Sequence, residues 1–370
     1  FALVFAAYLM RYGVEVGCTG GPIGTSFGAL ASAAFLIYCY EKNKKIRLPK
    51  NYVEVSRTRL TTSQLVKKII KYGVPITLCV GMTYAGSIVD LTNTKTRLMV
   101  GGISDTNATI LYGYLNKYQQ LLNVPIAIIS SLSAAILPAI SAAFAVKDRK
   151  RVKDKINYSF RICFLIAIPC AVGFSVLSGH IYELLKFGKG YYIMECGSIV
   201  LVLMSIMQIQ TTILQSVGKL FTATFYSVIG IIVKICINYV LIAIPNINIL
   251  GAIVGSIVGF LIPIILNHII IRKSLNAKVS LIRHAVKPVI ASVMMGIVVF
   301  ASSFVMDFLF GFIKIAYISN AISTIVSVLV GIITYVFTMA LIGGIRKRDM
   351  ELLPGAARKL IPGFILRKVK

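Results

Sequence analysis

The chain has 370 residues, 57% of them apolar and 14% charged, and carries a net charge of +27 from 39 Lys and Arg against 12 Asp and Glu. A soluble domain is about half apolar and a quarter charged, so this composition, with a mean hydropathy of +0.85, argues against a water-soluble fold and for a membrane-spanning one. The cations sit in short clusters between apolar runs, which argues against a nucleic-acid-binding face and for the charge asymmetry that orients membrane proteins.

Ten apolar segments follow in chain order, at about 1–11, 18–41, 69–91, 107–140, 156–178, 193–216, 221–243, 249–271, 287–309 and 317–343. Most approach the ~20 residues that a helix needs to cross a bilayer core. The first is a stub. It opens at Phe1 without a basic region and cleavage site, so it is no signal peptide, and the sequence is expected to begin partway through a longer protein. The fourth is long and holds Pro125 and Pro138, which predicts a kink or a run past the bilayer.

Between these segments the loops alternate in charge. One set, with Arg11, Lys95, Arg97, Lys186, Lys189 and Lys314, holds about six cations, and the other set, 42–71, 147–161, Lys219, 272–287 and 346–370, about 31. The basic side is therefore expected to be cytoplasmic, the C-terminus with it. The stretch 42–68 reads as a basic linker touching anionic headgroups. The tail 344–370, which mixes cations with Leu, Ile and Phe, reads as an amphipathic segment on the cytoplasmic surface.

GGPIGTSFG at 20–28 and GAIVGSIVG at 251–259 share a glycine ladder. Gly20, Gly24 and Gly28 match Gly251, Gly255 and Gly259 at an offset of 231, and Tyr8 falls on Tyr239 and Lys42 on Lys273. Glycines four apart line one helix face and admit a close backbone. Their recurrence predicts an internal parallel repeat, an arrangement transporters build around a site between the halves. On that reading about four and a half helices of a first lobe precede Phe1.

Three apolar segments carry polar stripes: Tyr112, Asn116, Gln119 and Asn123; Ser205, Gln208, Thr212 and Gln215; and Ser227, Gly230, Lys234 and Asn238. Lipid cannot satisfy such groups, so they should face water or one another. Either a substrate cavity or interhelical hydrogen bonding accounts for them. Lys234 and Lys117 lie inside apolar segments, where a cation is costly and suggests function unless it snorkels. Arg97 lies just beyond the third segment and is a candidate for the mouth of such a cavity.

The seven cysteines form no CxxC and no Cys/His cluster, so no metal is expected and burial as packing residues accounts for them. The acids lie in loops or near helix ends, the three histidines are scattered, and no GxxxxGK[ST] loop is present. No acid–base pair, triad or nucleotide site is predicted, so no catalytic residue and no cofactor is expected.

KYGVPITL, LYGYLNKY…LLNVP…LPAISAAFA, QTTILQSVGK, VKICINYVLI and PNINILGAIVGSIVGFL resemble the polysaccharide transporter branch of the multidrug/oligosaccharidyl-lipid/polysaccharide exporter superfamily, its sporulation members most closely. The resemblance implies an all-α integral membrane protein, a two-lobe flippase-like bundle with two extra C-terminal helices, most of its first lobe lying outside this chain. The expected boundaries are 1–41, the end of the first lobe; 42–68, the linker; 69–273, the second six-helix lobe; 284–343, the extra helices; and 344–370, the tail. It further implies a transporter, not an enzyme, that flips an undecaprenyl-linked saccharide across the cell membrane by alternating access without ATP. Lys234 matches the lysine of the branch's VK-I-NY motif, whereas relatives often have a small or apolar residue at Lys117. The expected partners are the lipid-linked saccharide and membrane lipids, with no nucleic acid, and the expected working unit is a monomer. A cation-coupled drug exporter, a membrane glycosyl- or acyltransferase and a scaffold subunit remain as alternatives.

Overall fold

A computed structural model of the chain describes residues 2–43, 61–275, 281–310 and 316–344. The expected linker falls mostly, and the tail almost wholly, outside these residues. The described elements are all helical. The chain divides into two compact units, 1–66 and 67–370.

In the first unit α1 (Ala2–Leu9) continues into a 3-10 turn (Met10–Tyr12) and, through Gly13, into α2 (Val14–Asn43). Gly13 has φ +122°, open mainly to glycine, and this residue reverses the chain. Gly20 and Gly24 then take the close approach: a Cβ on either would collide with the backbone of Ala6 or Ala2.

The second unit holds all but the first turn of α3 (Thr62–Val100), and α4 (Asp105–Ala145), α5 (Arg149–Val176), the short α6 (Ser178–Leu184) and α7 (Tyr191–Gly197), α8 (Ile199–Ser216), α9 (Leu220–Leu241), α10 (Leu250–Leu275), α11 (Leu281–Phe310) and α12 (Ala316–Leu341). Among the described residues eight helices, α2, α4, α5 and α8 to α12, are long and apolar enough to cross a membrane.

The helices outrun their apolar segments. α4 has 41 residues, about 60 Å at 1.5 Å per residue, and carries both prolines inside one continuous helix. It therefore extends past a core of about 30 Å. The apolar run 193–216 is broken in two at Ser198. The Tyr118 hydroxyl donates to the Gly197 carbonyl at 2.7 Å, and the Leu201 N–H turns to Ser198 at 3.1 Å. A buried phenol has taken the acceptor that a continuous helix would use.

Two apolar clusters form the core. One, toward the α4–α5 corner, packs Ile136, Ile140, Ile156, Phe160, Ile209, Ile213, Ile264 and Ile271. The other packs Leu98, Leu122, Tyr182, Met194, Leu201, Ile242 and Ile249 toward the opposite end. Met295, Val299, Tyr335 and Met339 join α11 and α12 to Leu177 beside α5, and the Tyr335 hydroxyl donates to the Leu165 carbonyl at 2.9 Å.

Contacts between helix ends sort the unit into two faces. At one face Ser141 donates to the Ser216 carbonyl, Lys219 to Ser274 Oγ and Lys287 to the Gly343 carbonyl, and His284 meets Asn157. At the other face Lys117 donates to the Phe187 carbonyl, Tyr317 to Leu184 and Asn320 to His180. The first face gathers the described cations of 147–161, Lys219 and those near 272–287. Alternation inferred from charge alone thus reappears as physical segregation.

Candidate functional site

The polar stripe of α9 lies against the glycine ladder of α10. A Cβ on Gly259 would sit 2.8 Å from Lys234 Cβ and 3.0 Å from the Gly230 carbonyl oxygen, and one on Gly251 would sit 2.9 Å from Leu241. One on Gly255 would strike the Asn238 side-chain oxygen. Asn238 is accordingly buried, at 1% exposure. Lys234 is half-buried, its stem crossing Gly259 about 10 Å along the axis from the end of α9 at Leu241.

Arg97 and Asn93 brace the same helix from α3. Arg97 Nε donates to the Tyr239 carbonyl at 2.8 Å, and its guanidinium carbon lies 3.8 Å from the Tyr239 ring centroid. One turn earlier Asn93 Nδ2 donates to the Ile235 carbonyl at 3.3 Å. Arg97 thus meets α9 at Tyr239, whereas Lys234 and Asn238 lie against the glycine ladder of α10.

Lys117 is placed elsewhere. Its ammonium donates to the Phe187 carbonyl at 3.0 Å and lies 5.3 Å from the Phe187 ring centroid and 5.7 Å from that of Tyr114, an environment that neutralises the cost of a cation with a carbonyl and two π faces. On the same helix Asn116 is exposed and Gln119 half-buried. On α8 Gln208 is half-buried, Thr212 buried and Gln215 exposed.

The serine and threonine hydroxyls of these stripes need neither water nor a neighbour. Ser205, Thr212 and Ser227 each donate to the carbonyl four residues back, at 2.6, 2.9 and 2.9 Å. Such back-bonding satisfies Ser and Thr within their own helix, so the premise that a membrane stripe must face water or another stripe fails for them. The amides are what require partners. Gln210 and Asn267, both fully buried, make no hydrogen bond through either side-chain atom. Sequence reasoning missed both, since Gln210 lies off the α8 stripe and Asn267, next to His268, belongs to no stripe in its apolar run.

Two cavities open at helix ends, and none of the nine candidate polar residues lines either. One, of about 740 Å³, is lined by His180, Tyr182, Glu183, Lys186, Lys189 and Tyr191 among others. Burial holds the Tyr182 phenol above its usual range, with Tyr192 adding to the shift. The other, of about 460 Å³, is lined by Lys147, Arg149, Val152, Lys153, Ser274 and Leu275 with Phe144 and Ala145. Among the described residues no group of three or more His, Cys, Asp or Glu converges as a metal site would require.

A family model described as lipid II flippase MurJ matches residues 1–319. The chain is 25% identical to the lipid II flippase MurJ of Bacillus subtilis (strain 168) over 276 residues, covering 72% of this chain and 50% of that protein. It is 25% identical to stage V sporulation protein B of the same organism over 256 residues, covering 67% and 48%. The chain thus spans about half the length of these relatives. A solved structure of lipid II flippase MurJ in an inward closed conformation superposes with a TM-score of 0.59 at 15% identity, over 92% of this chain and 65% of that one, a likeness of fold.

Proposed function

Since this chain belongs to the lipid II flippase MurJ family, we propose that it moves a lipid-linked saccharide, its sugar carried on an undecaprenyl diphosphate, from one membrane leaflet to the other by alternating access and without covalent chemistry. The observation that carries the reading is the family match over residues 1–319, on a chain with eight described helices long and apolar enough to span a bilayer. Cations suit a diphosphate because they replace the water it loses. Lys234 is assigned to that task, with Arg97 as a second contact; Lys117 acts through the α6–α7 corner. In this reading 69–273 is one transport lobe, 284–343 the two additional helices, and the basic face is cytoplasmic, where such precursors are loaded. The protein works as a monomer.

The test is flipping in proteoliposomes. A fluorescent polyprenyl-diphosphate sugar, quenched from outside, reports its leaflet. Lys234→Ala is expected to slow flipping by about tenfold or more, the value of one charge-assisted contact, with little change in melting temperature. Wild-type rates in Lys234→Ala and Arg97→Ala would remove the assigned residues, and no flipping by the wild-type protein would remove the function.

A further inference from the structure

The corners at which helices end follow one design, and two of them break its rule. After α3, α8 and α12 the chain turns through Gly102, Gly218 and Gly343, each with positive φ. In each case the glycine N–H bonds back three residues and the next N–H bonds back five, the Schellman pattern that favours glycine. After α4 and α6 the same bonds form around lysines: Lys147 N–H to Phe144 and Asp148 N–H to Ala143 at 3.0 and 3.1 Å, and Lys186 N–H to Glu183 and Phe187 N–H to Tyr182 at 3.1 and 2.8 Å. Lys147 has φ +56° and Lys186 +53°. A side chain held in the left-handed region is strained, and such strain marks a position kept for another reason. Each of these lysines lines one of the two cavities.

The cavity at Lys147 is the more selective. Arg149 and Lys153 converge with Lys147 on a wall completed by Ser274, while Phe144, Val152 and Leu275 supply an apolar side. Lys219 donates to Ser274 Oγ at 2.9 Å, which adds a fourth cation at the rim. Among the described residues Lys147, Arg149 and Lys153 make no ion pair. The nearby carboxylate of Asp148 is occupied, accepting the Arg151 N–H at 2.9 Å and lying 3.5 Å from Arg151 Nε. The pocket opens where α4 and α10 end and α5 begins, on the basic face.

We propose that this pocket binds the phosphate of an anionic lipid headgroup, with Lys147, Arg149 and Lys153 on the phosphate and the apolar wall against the glycerol and upper acyl chain. Clusters of cations at helix ends recognise phosphate in this way, and a volume of about 460 Å³ admits a headgroup. The site is separate from Lys234, and its test reads binding rather than transport, so it stands or falls independently of flipping.

The full chain, purified in detergent, is titrated with phosphatidylglycerol or phosphatidylcholine and the retained lipid is read by native mass spectrometry. The wild type is expected to hold phosphatidylglycerol about tenfold more tightly. Lys147→Gly is expected to lose most of that preference, and Lys147→Gly with Lys153→Gln all of it. Because glycine suits this corner, the melting temperature of Lys147→Gly should be unchanged or higher, so weaker binding cannot be put down to unfolding. Lys150→Ala removes an equal charge one residue from the pocket wall and should leave the preference intact. The proposal is overturned if Lys147→Gly binds as wild type does, or if Lys150→Ala is equally damaging. It is also overturned if inorganic phosphate displaces the lipid at equal concentration, which would make the ligand a free anion.

Discussion

The α1–α2 and α9–α10 hairpins carry the same glycine ladder and set different chemistry against it. Gly20 and Gly24 meet the backbones of Ala6 and Ala2, whereas Gly255 and Gly259 meet the side chains of Asn238 and Lys234. At the offset of 231 the residues matching Lys234 and Asn238 are Leu3 and Ala7. Close helix approach is therefore the shared element, and the buried amide and the cation belong to the second hairpin alone. The pairing is also shifted by about one turn: Gly20 reaches Ala6, but Gly251 reaches Leu241, the counterpart of Met10. The connections explain the shift, since Gly13 alone follows the 3-10 turn, while residues 242–249 join α9 to α10. A glycine ladder fixes which face packs, and the turn fixes the register.

The largest effect should come from filling the ladder. Gly255→Leu and Gly24→Leu each drive a side chain into a neighbouring helix and should cost about 3 kcal/mol or more, the upper range for overpacking. Gly28→Leu, where an added Cβ meets nothing within 4 Å, should cost less than about 0.5 kcal/mol, in line with other open surface sites. Thermal melts of the purified variants measure the difference. Equal melting temperatures for Gly255→Leu and Gly28→Leu would break the comparison at its root.

Next is the brace on α9, for which the first hairpin has no described equivalent within its own unit. Arg97→Ala removes a charge-assisted bond to the Tyr239 carbonyl and a ring contact, a loss of about 2 kcal/mol. Asn93→Ala removes one neutral bond, about 1 kcal/mol. Hydrogen exchange of amides in 235–241 should rise in both variants and more in Arg97→Ala, while exchange in α2 stays unchanged. Equal protection in both hairpins would show that the α3 contacts do not hold α9.

The helical class, the alternation of helix ends and the ladder were legible in the sequence because each rests on a periodic property: apolar length, charge clustering or four-residue spacing. The site was less legible, and the reason is local. A stripe of polar letters on a helix looks the same whether its hydroxyls seek water or fold back onto their own carbonyls, and Thr212 and Ser205 do the latter. Lys117 and Lys234 look alike as intramembrane lysines, yet one is tied to the Phe187 carbonyl and the other crosses a glycine ladder. The strained corners at Lys147 and Lys186 left no mark, because a lysine beside a loop reads as an orientation signal. The break at Ser198 was hidden for the opposite reason: Tyr118, distant in sequence, takes the acceptor.

The two turns separate backbone strain from side-chain bonding, and the smallest expected shift, that of Asn248→Gly, lies in the second. Gly13 has φ +122° with nothing within 4 Å of an added Cβ, so Gly13→Ala tests conformation alone and should cost about 2 kcal/mol. Asn248, at the other turn, has φ +54°, which asparagine tolerates better than most residues, and its Oδ1 accepts the Ile249 N–H at 2.6 Å. Asn248→Gly relieves the backbone and forfeits that bond. The two changes are of similar size and opposite sign, so the net shift should be under about 0.5 kcal/mol. Asn248→Ala keeps the strain and also forfeits the bond, and it should fall below Asn248→Gly by about 1 kcal/mol. If thermal melts place Asn248→Ala at or above Asn248→Gly, the second turn is held by its side-chain bond and not by its left-handed backbone, and the two hairpins close by different physics as well as in different register.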